Sequence, residues 1–292
     1  MFDQERSETD KTSEDPMKRA QHLREICDQL DKLGQVPIEL EGHSYQYMYV
    51  NDEYKFIFCM MPKLACTNWK RVFLALNDIP NKNYIMNELN SGHVHGMHGQ
   101  HAKTLDKYSQ PEIQERLQTY KKIIFVRDPF ERILSAFKDK MFRNDSSVFR
   151  DIAKKIIQLK RRNGTPKTRN VKFLEFVQYL TDPDTFQSSY EQHWAKYTHL
   201  SQPCILRYDF IGKFETMDAD VDLAFKYMGI DGIVKFPQRE AAYKNTKSSD
   251  IVQPYYKQLP EHYLLKLWKL LKIDFILFSY PLPELLSELS DI

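Results

Sequence analysis

Two stretches of this chain repeat one construction, and that construction narrows the fold to a single class. In FCMMPKLACTNWKRVF (Phe58–Phe73) an apolar run breaks at Pro62-Lys63 and crosses a few small residues. It resumes with Trp69, Val72, Phe73 and Leu76 at i, i+3, i+4 and i+7, which predicts a helix over Thr67–Leu76. In KKIIFVRDPFERILSAF (Lys121–Phe137) a short buried strand at Ile123–Val126 breaks at Arg127-Asp128-Pro129. Phe130, Ile133, Leu134 and Phe137 then repeat the helical spacing, and Pro129 suits a first helical turn. Strands that alternate with helices are joined by crossovers, and crossovers pair strands in parallel. The expected class is α/β, a central, largely parallel sheet flanked by helices.

The rest of the chain fits around these two units. With 292 residues it holds one large domain or two small ones, and no internal repeat divides it, so a single domain over residues 45–292 is expected. Residues 1–44 read as a polar tail to about residue 20, then a short helix at Gln21–Leu33 ended by Gly34 and Pro37. The body opens near Tyr45 with two β-rich runs, YQYMYV and KFIFCMM, separated by a turn at Asn51-Asp52. A Gly/His loop is expected at Ser91–His101, a helix near Pro111–Tyr120, a third strand in ILRYDFIG (Ile205–Gly212) and a final helix in LLKLWKLLKIDFILFSY. No apolar run reaches the roughly 18–20 residues of a membrane span, so the chain as written reads as soluble. The four cysteines have no CxxC spacing, which predicts neither a disulfide framework nor a zinc site. Net charge is only +2, so any charge argument is local.

The chemistry gathers at the two joints. In a parallel sheet the carboxyl ends of the strands are where ligands bind, and a helix N-terminus offers free N–H groups and a positive dipole end to an anion. In the first joint Ala65, Cys66 and Thr67 let an anion approach the backbone, Thr67 adds a hydroxyl, and Lys63 and Lys70 add charge. In the second, Arg127 leaves the strand with a fork suited to phosphate, and Ser135 follows two turns into the helix. Other anion sites fail on spacing. There is no GxxxxGK[ST]. A cysteine phosphatase needs five residues between nucleophile and arginine, whereas Cys66 and Arg71 have four between them.

At this point a resemblance becomes specific. PKLACTNWKRV resembles the 5′-phosphosulfate motif, and FVRDPFERILSAFKDK the 3′-phosphate motif, of the Golgi carbohydrate sulfotransferases related to the chondroitin 4-O- and HNK-1 enzymes. YSQPEIQERLQTYKK, VKFLEFVQYL, HWAKYTHLSQPCILRYDFIGKFET and IDFILFSY continue it in family order, from about Phe56 to Tyr280. The resemblance implies a P-loop-like fold and the donor 3′-phosphoadenosine 5′-phosphosulfate (PAPS), with no metal. It places Lys63, Ala65, Cys66, Thr67, Asn68, Trp69 and Lys70 on the phosphosulfate, with Lys63 catalytic, and Arg127 and Ser135 on the 3′-phosphate. SGHVHGMHGQHAKTL holds four histidines, and a related enzyme's base resembles His98, with His95 as the alternative. The implied acceptor is an anionic glycan, a GalNAc-containing glycosaminoglycan such as chondroitin, with the 4-O position favoured. A small-molecule sulfotransferase of cytosolic type and an inactive PAPS-binding member are the other readings. The family also implies a Golgi location and a membrane anchor, which this chain as written does not contain. Its LCxPC segment reads Leu200-Ser201-Gln202-Pro203-Cys204 here, so a local disulfide is not carried over.

Four further features stand outside the two joints. Arg150–Lys172 holds nine Lys/Arg against one Asp, which reads either as a solvated face or as a basic rim that attracts an anionic polymer; it lacks the interleaved aromatics of a nucleic-acid site. KNTKSSD (Lys244–Asp250) is a polar loop that either covers the nucleotide or merely faces solvent. Asp209 and Glu215 flank a strand end and read as caps. Glu191, His193 and Trp194 have no role assigned by sequence alone.

Overall fold

The computed structural model describes residues 15–35, 42–77, 81–142, 146–161, 170–186, 191–237 and 248–287. Residues 244–247 of the KNTKSSD segment and 162–169 of the basic run lie outside these. The two joints emerge as expected. Strand β2 (Phe56–Cys59) leads into helix α2 (Cys66–Asn77), and β4 (Lys121–Val126) into α6 (Pro129–Phe137). The sheet order is β3-β1-β2-β4-β5, with β1 at Met48–Asn51, β3 at Lys103–Thr104 and β5 at Phe210–Lys213. β2, β4 and β5 run parallel, while β1 is antiparallel to β2 and to β3. The sheet is therefore mixed: a parallel centre carries an antiparallel edge, made by the tight turn at residues 52–55 that joins β1 to β2.

Alternation along the strands sorts the core into two faces. Phe56, Phe58, Ile123, Phe125 and Phe210 pack against α2 and the helix Met217–Met228. Ile57, Cys59, Ile124, Val126 and Ile211 pack on the opposite side with residues of α1 (Pro16–Lys32). Gly212 is required beside Phe125, its partner in register, because a Cβ there would stand 2.3 Å from the Phe125 ring. A third core lies among helices, where α6 meets α7 (Ser147–Lys160), α8 (Phe173–Leu180) and the long helix Glu261–Leu277. Helices α3 (Lys82–Asn87), α4 (Ser91–His101) and α5 (Gln110–Thr119) complete the stretch between the joints. No described helix is long and apolar enough to cross a membrane.

Four expectations are corrected. The N-terminal helix begins at Pro16, capped by the Asp15 side chain, not at Gln21, and it belongs to the body. Its Ala20, Leu23 and Cys27 are buried, and buried Arg19 donates to the Ile211 carbonyl (3.1 Å) and to Asp220 (2.6 Å). Cys27 and Cys204 form a disulfide across 177 positions, a pairing that local spacing cannot reveal. Ser91–His101 is a helix rather than a loop. Asn90 starts it, its side chain accepting from the His93 amide (3.0 Å), and fully buried Val94 supplies the packing that outweighs Gly92 and Gly96 on the exposed side. The third strand starts at Phe210 rather than Ile205, because Pro203–Leu206 is a helical turn that ends on left-handed Arg207 (φ 49°).

Two cations of the basic run are tied down where it is described. Lys160 bonds Asp182 (2.9 Å), and Arg161 grips both oxygens of Glu175 (2.6 and 2.9 Å), clamping α7 to α8. These two cations hold the fold together before any polymer arrives.

Candidate active site

Because β2, β4 and β5 are parallel, their carboxyl ends open on one edge of the sheet, where Lys63, Arg127 and Glu215 follow the strands. The first joint is bent by two left-handed residues, Lys63 (φ 70°) and Ala65 (φ 56°), a conformation uncommon outside glycine. The Ala65 carbonyl accepts from the Asn68 (2.9 Å) and Trp69 (3.1 Å) amides, which starts α2. A backbone turned in this way directs N–H groups into a concavity, and the first turn of α2 adds donors and its dipole. Lys63 Nζ donates to Asp139 (2.7 Å), and Lys140 Nζ lies 3.3 Å from the same oxygen. Burial lowers the Lys63 pKa, while Asp139 acts to raise it.

His95 joins this loop from α4. Its Nε2 lies 3.2 Å from Thr67 Oγ1 and its Nδ1 lies 3.1 Å from Lys70 Nζ. Loss of water around the ring, then the Lys70 and Lys140 charges, hold His95 down to about 4, so it is neutral at ordinary pH. Cys66 is a free, half-buried thiol. Asn68 turns away to donate to the Pro237 carbonyl (3.3 Å) and accept from Arg71 (3.1 Å). The Trp69 side chain is a correction to the expected set. It is 1% exposed, wedged between Phe58, Phe125 and Phe236, so it packs the core under the loop instead of facing a ligand. The backbone at His98 lies in α4, one turn beyond His95, and its side chain falls outside the described residues.

At the second joint, Arg127 Nε bonds Glu131 (3.1 Å), and its guanidinium lies 4.3 Å over the Phe214 ring. The buried Tyr197 hydroxyl accepts from the Arg127 amide (3.0 Å) and donates to its carbonyl (3.3 Å), fixing the backbone there. Asp128 caps α6 by accepting from the Phe130 and Glu131 amides. Glu215 accepts from the Asp128 amide (2.8 Å) and the Tyr280 hydroxyl (3.0 Å), in keeping with its reading as a cap. Burial, with the Glu131 and Glu215 charges adding to it, pushes Asp128 up to about 7.

Helix α6 and the π-helical turn that continues it (Lys138–Phe142) link the joints. Glu131, Ser135 and Asp139 follow at four-residue intervals, so Ser135 stands roughly between the carboxylate that holds Arg127 and the one that holds Lys63. At 1.5 Å per residue those carboxylates are on the order of 12 Å apart, a span suited to an anion with charge at both ends.

Three residues of this edge had no role in the sequence reading. His193 Nδ1 lies 2.8 Å from both oxygens of Glu191, and its basicity is lowered by burial, with Glu191 opposing and Lys140 and Lys63 adding to the fall. Arg132, 1% exposed, holds the turn that carries this pair. It donates to the carbonyls of Ala195 (2.6 Å), Gln192 (2.9 Å) and Pro62 (3.4 Å), bolting residues 192–195 to the neighbour of Lys63. The signals were an arginine inside an apolar stripe, between Phe130 and Ile133, and an acid two residues before a histidine.

The profile of the sulfotransferase family matches residues 46–281. The chain is 34% identical to carbohydrate sulfotransferase 11 of Rattus norvegicus over 256 residues, which is 85% of this chain and 71% of that protein. It is also 34% identical to human carbohydrate sulfotransferase 9 over 286 residues (94% of this chain, 62% of that one). With human carbohydrate sulfotransferase 10 the identity is 34% over 283 residues (92% and 77%). No solved structure matches the chain.

Proposed function

The chain belongs to the sulfotransferase family, and on that premise we propose that it transfers sulfate from PAPS to a hydroxyl of a glycan. The observation that carries this reading is the pairing of Arg127 with Glu131 near the start of α6 and of Lys63 with Asp139 in the turn that continues it. PAPS carries charge at two separated points, a 5′-phosphosulfate and a 3′-phosphate. Lys63, with the α2 N-terminus, Thr67 and Lys70, receives the phosphosulfate, and Arg127 with Ser135 receives the 3′-phosphate. As the S–O bond to the 5′-phosphate breaks, negative charge grows on the leaving oxygen, and the Lys63 ammonium stabilises it. Arg127 fixes the far end of the donor, so that the sulfur stays in line with the attacking hydroxyl. Asp139 keeps Lys63 oriented while the site is empty and yields it to the stronger anion.

The acceptor is a GalNAc-containing glycosaminoglycan of the chondroitin type, with the 4-O position favoured; the names of the relatives, carbohydrate sulfotransferases, support the glycan part of this reading alone. The Cys27–Cys204 disulfide supports work in an oxidising compartment, as the Golgi lumen is, and disfavours the cytosolic small-molecule reading. The test is an acceptor panel with PAPS, in which desulfated chondroitin is compared with a small phenol and the products are read by disaccharide analysis. Sulfate on GalNAc of the polymer is the expected result. Sulfation of the phenol alone would overturn the glycan assignment.

A further inference from the structure

We propose that His193, held by Glu191, is the base that takes the proton of the acceptor hydroxyl; this rests on the donor-site reading above. The geometry of the two described histidines at the site separates them. A lysine ammonium only donates, so the Lys70 contact places a lone pair on His95 Nδ1 and the proton on Nε2, which then donates to Thr67 Oγ1. Both His95 nitrogens are thus used within the donor loop. In His193 the carboxylate of Glu191 only accepts, so Nδ1 carries the proton and the Nε2 lone pair remains for a substrate. This is the orientation logic of a histidine–carboxylate pair, in which the acid fixes the tautomer and stabilises the imidazolium that forms.

Position agrees with chemistry. Arg132 ties the backbone on both sides of His193 to Pro62, one residue before Lys63, so base and donor lysine belong to one rigid unit. The His193 side chain is 17% exposed, enough to be reached and little enough to be held. Its ring stands T-shaped to that of Phe149, with 5.4 Å between centroids, and Lys140 lies 4.8 Å over that same Phe149 ring. An aromatic face and a cation beside the base form a wall that fits a sugar bearing an acidic group. In the step itself the acceptor oxygen attacks sulfur and the O–S bond forms. The bond from sulfur to the 5′-phosphate oxygen breaks with its electron pair, giving 3′,5′-ADP. The hydroxyl proton passes to His193 Nε2, and then to water.

The charged and titratable groups that act on His193 are Glu191 from its own turn, Lys63 from the donor loop, Lys140 from the turn that follows α6 and His95 from α4. The base works in its neutral form, so the rate rises with pH through an acid limb below the ordinary histidine value of about 6.5. The experiment measures transfer from PAPS to the acceptor used by the wild type, beside 3′,5′-ADP binding by calorimetry. His193→Ala should lose about 10²–10⁴-fold in turnover with nucleotide affinity kept, and added imidazole should restore part of the rate. Glu191→Gln should keep more activity and move the acid limb to lower pH, because the carboxylate that raised the histidine is gone. His193→Gln, close in size, should lose as much turnover as His193→Ala and show an unchanged melting temperature. The proposal is overturned if His193→Ala keeps turnover within tenfold of wild type, or if imidazole rescues His98→Ala and not His193→Ala. If the wild type fails to bind 3′,5′-ADP, the donor-site reading falls and this inference falls with it. If it binds the nucleotide and His193 proves dispensable, only the base assignment falls.

Discussion

Replacing Arg127 with alanine removes the cation assigned to the 3′-phosphate, and the structure sets the size of the effect. A hydrogen bond to a charged group is worth about 1.5–3 kcal/mol, which converts to roughly a 10- to 150-fold loss of affinity for 3′,5′-ADP. The upper end is expected here. Arg127 also neutralises Glu131 at 3.1 Å, with Asp128 and Glu215 close by, so its loss leaves acidic groups facing the phosphate. Arg127→Ala/Glu131→Ala should therefore recover part of the affinity, and Arg127→Lys should fall between the two because it keeps charge but not the fork. The fold should survive, since Tyr197 holds the backbone at residue 127 through main-chain atoms alone. The assay is calorimetric titration with 3′,5′-ADP and, as a control, with adenosine 5′-phosphate, which lacks the 3′ group. The loss should appear with the first and not with the second. Wild-type affinity of Arg127→Ala for 3′,5′-ADP, or an equal loss with both nucleotides, would refute the assignment.

Lys63→Ala should lower turnover by roughly 10- to 150-fold, with a smaller effect on 3′,5′-ADP binding, because its charge meets the group that leaves; steady-state rates with calorimetry check this. Cys27→Ser/Cys204→Ser frees a loop closed across 177 positions, and chain entropy puts the loss of stability at up to about 5 kcal/mol. Urea midpoints of the wild type and the double variant that coincide would show that the bridge contributes nothing. Asp128 has a folded-state pKa of about 7, above its unfolded value, so between about pH 4 and 7 the native state binds the extra proton and stability falls as pH rises. Asp128→Asn retains the cap and should flatten that fall in melting temperature; an unchanged slope would show that another group titrates.

What was legible in the sequence was local. The spacing of Trp69, Val72, Phe73 and Leu76 placed α2 within a residue at each end, and Pro129 marked the start of α6. Both joints carried their cations in plain view. What was hidden depends on partners far along the chain. Arg19 looks like one more charge in a polar tail until Asp220 meets it, and no spacing rule joins Cys27 to Cys204. Glycines argued against a helix at Ser91–His101, yet the burial of Val94 decided the matter. Trp69 belonged to the motif as a string and to the core as a side chain. The turn that carries Glu191 and His193 is fixed beside the donor loop by Arg132, more than fifty residues earlier, which ties it to Pro62.

The most direct test of the account follows sulfate itself. The chain is incubated with PAPS labelled in the sulfate and with desulfated chondroitin, and label in the polymer is compared with the 3′,5′-ADP formed. The account predicts one sulfate ester in the glycan for each 3′,5′-ADP released, with both falling together in Lys63→Ala. Label appearing only as free sulfate, or donor that binds and is never consumed with any glycosaminoglycan offered, would contradict it.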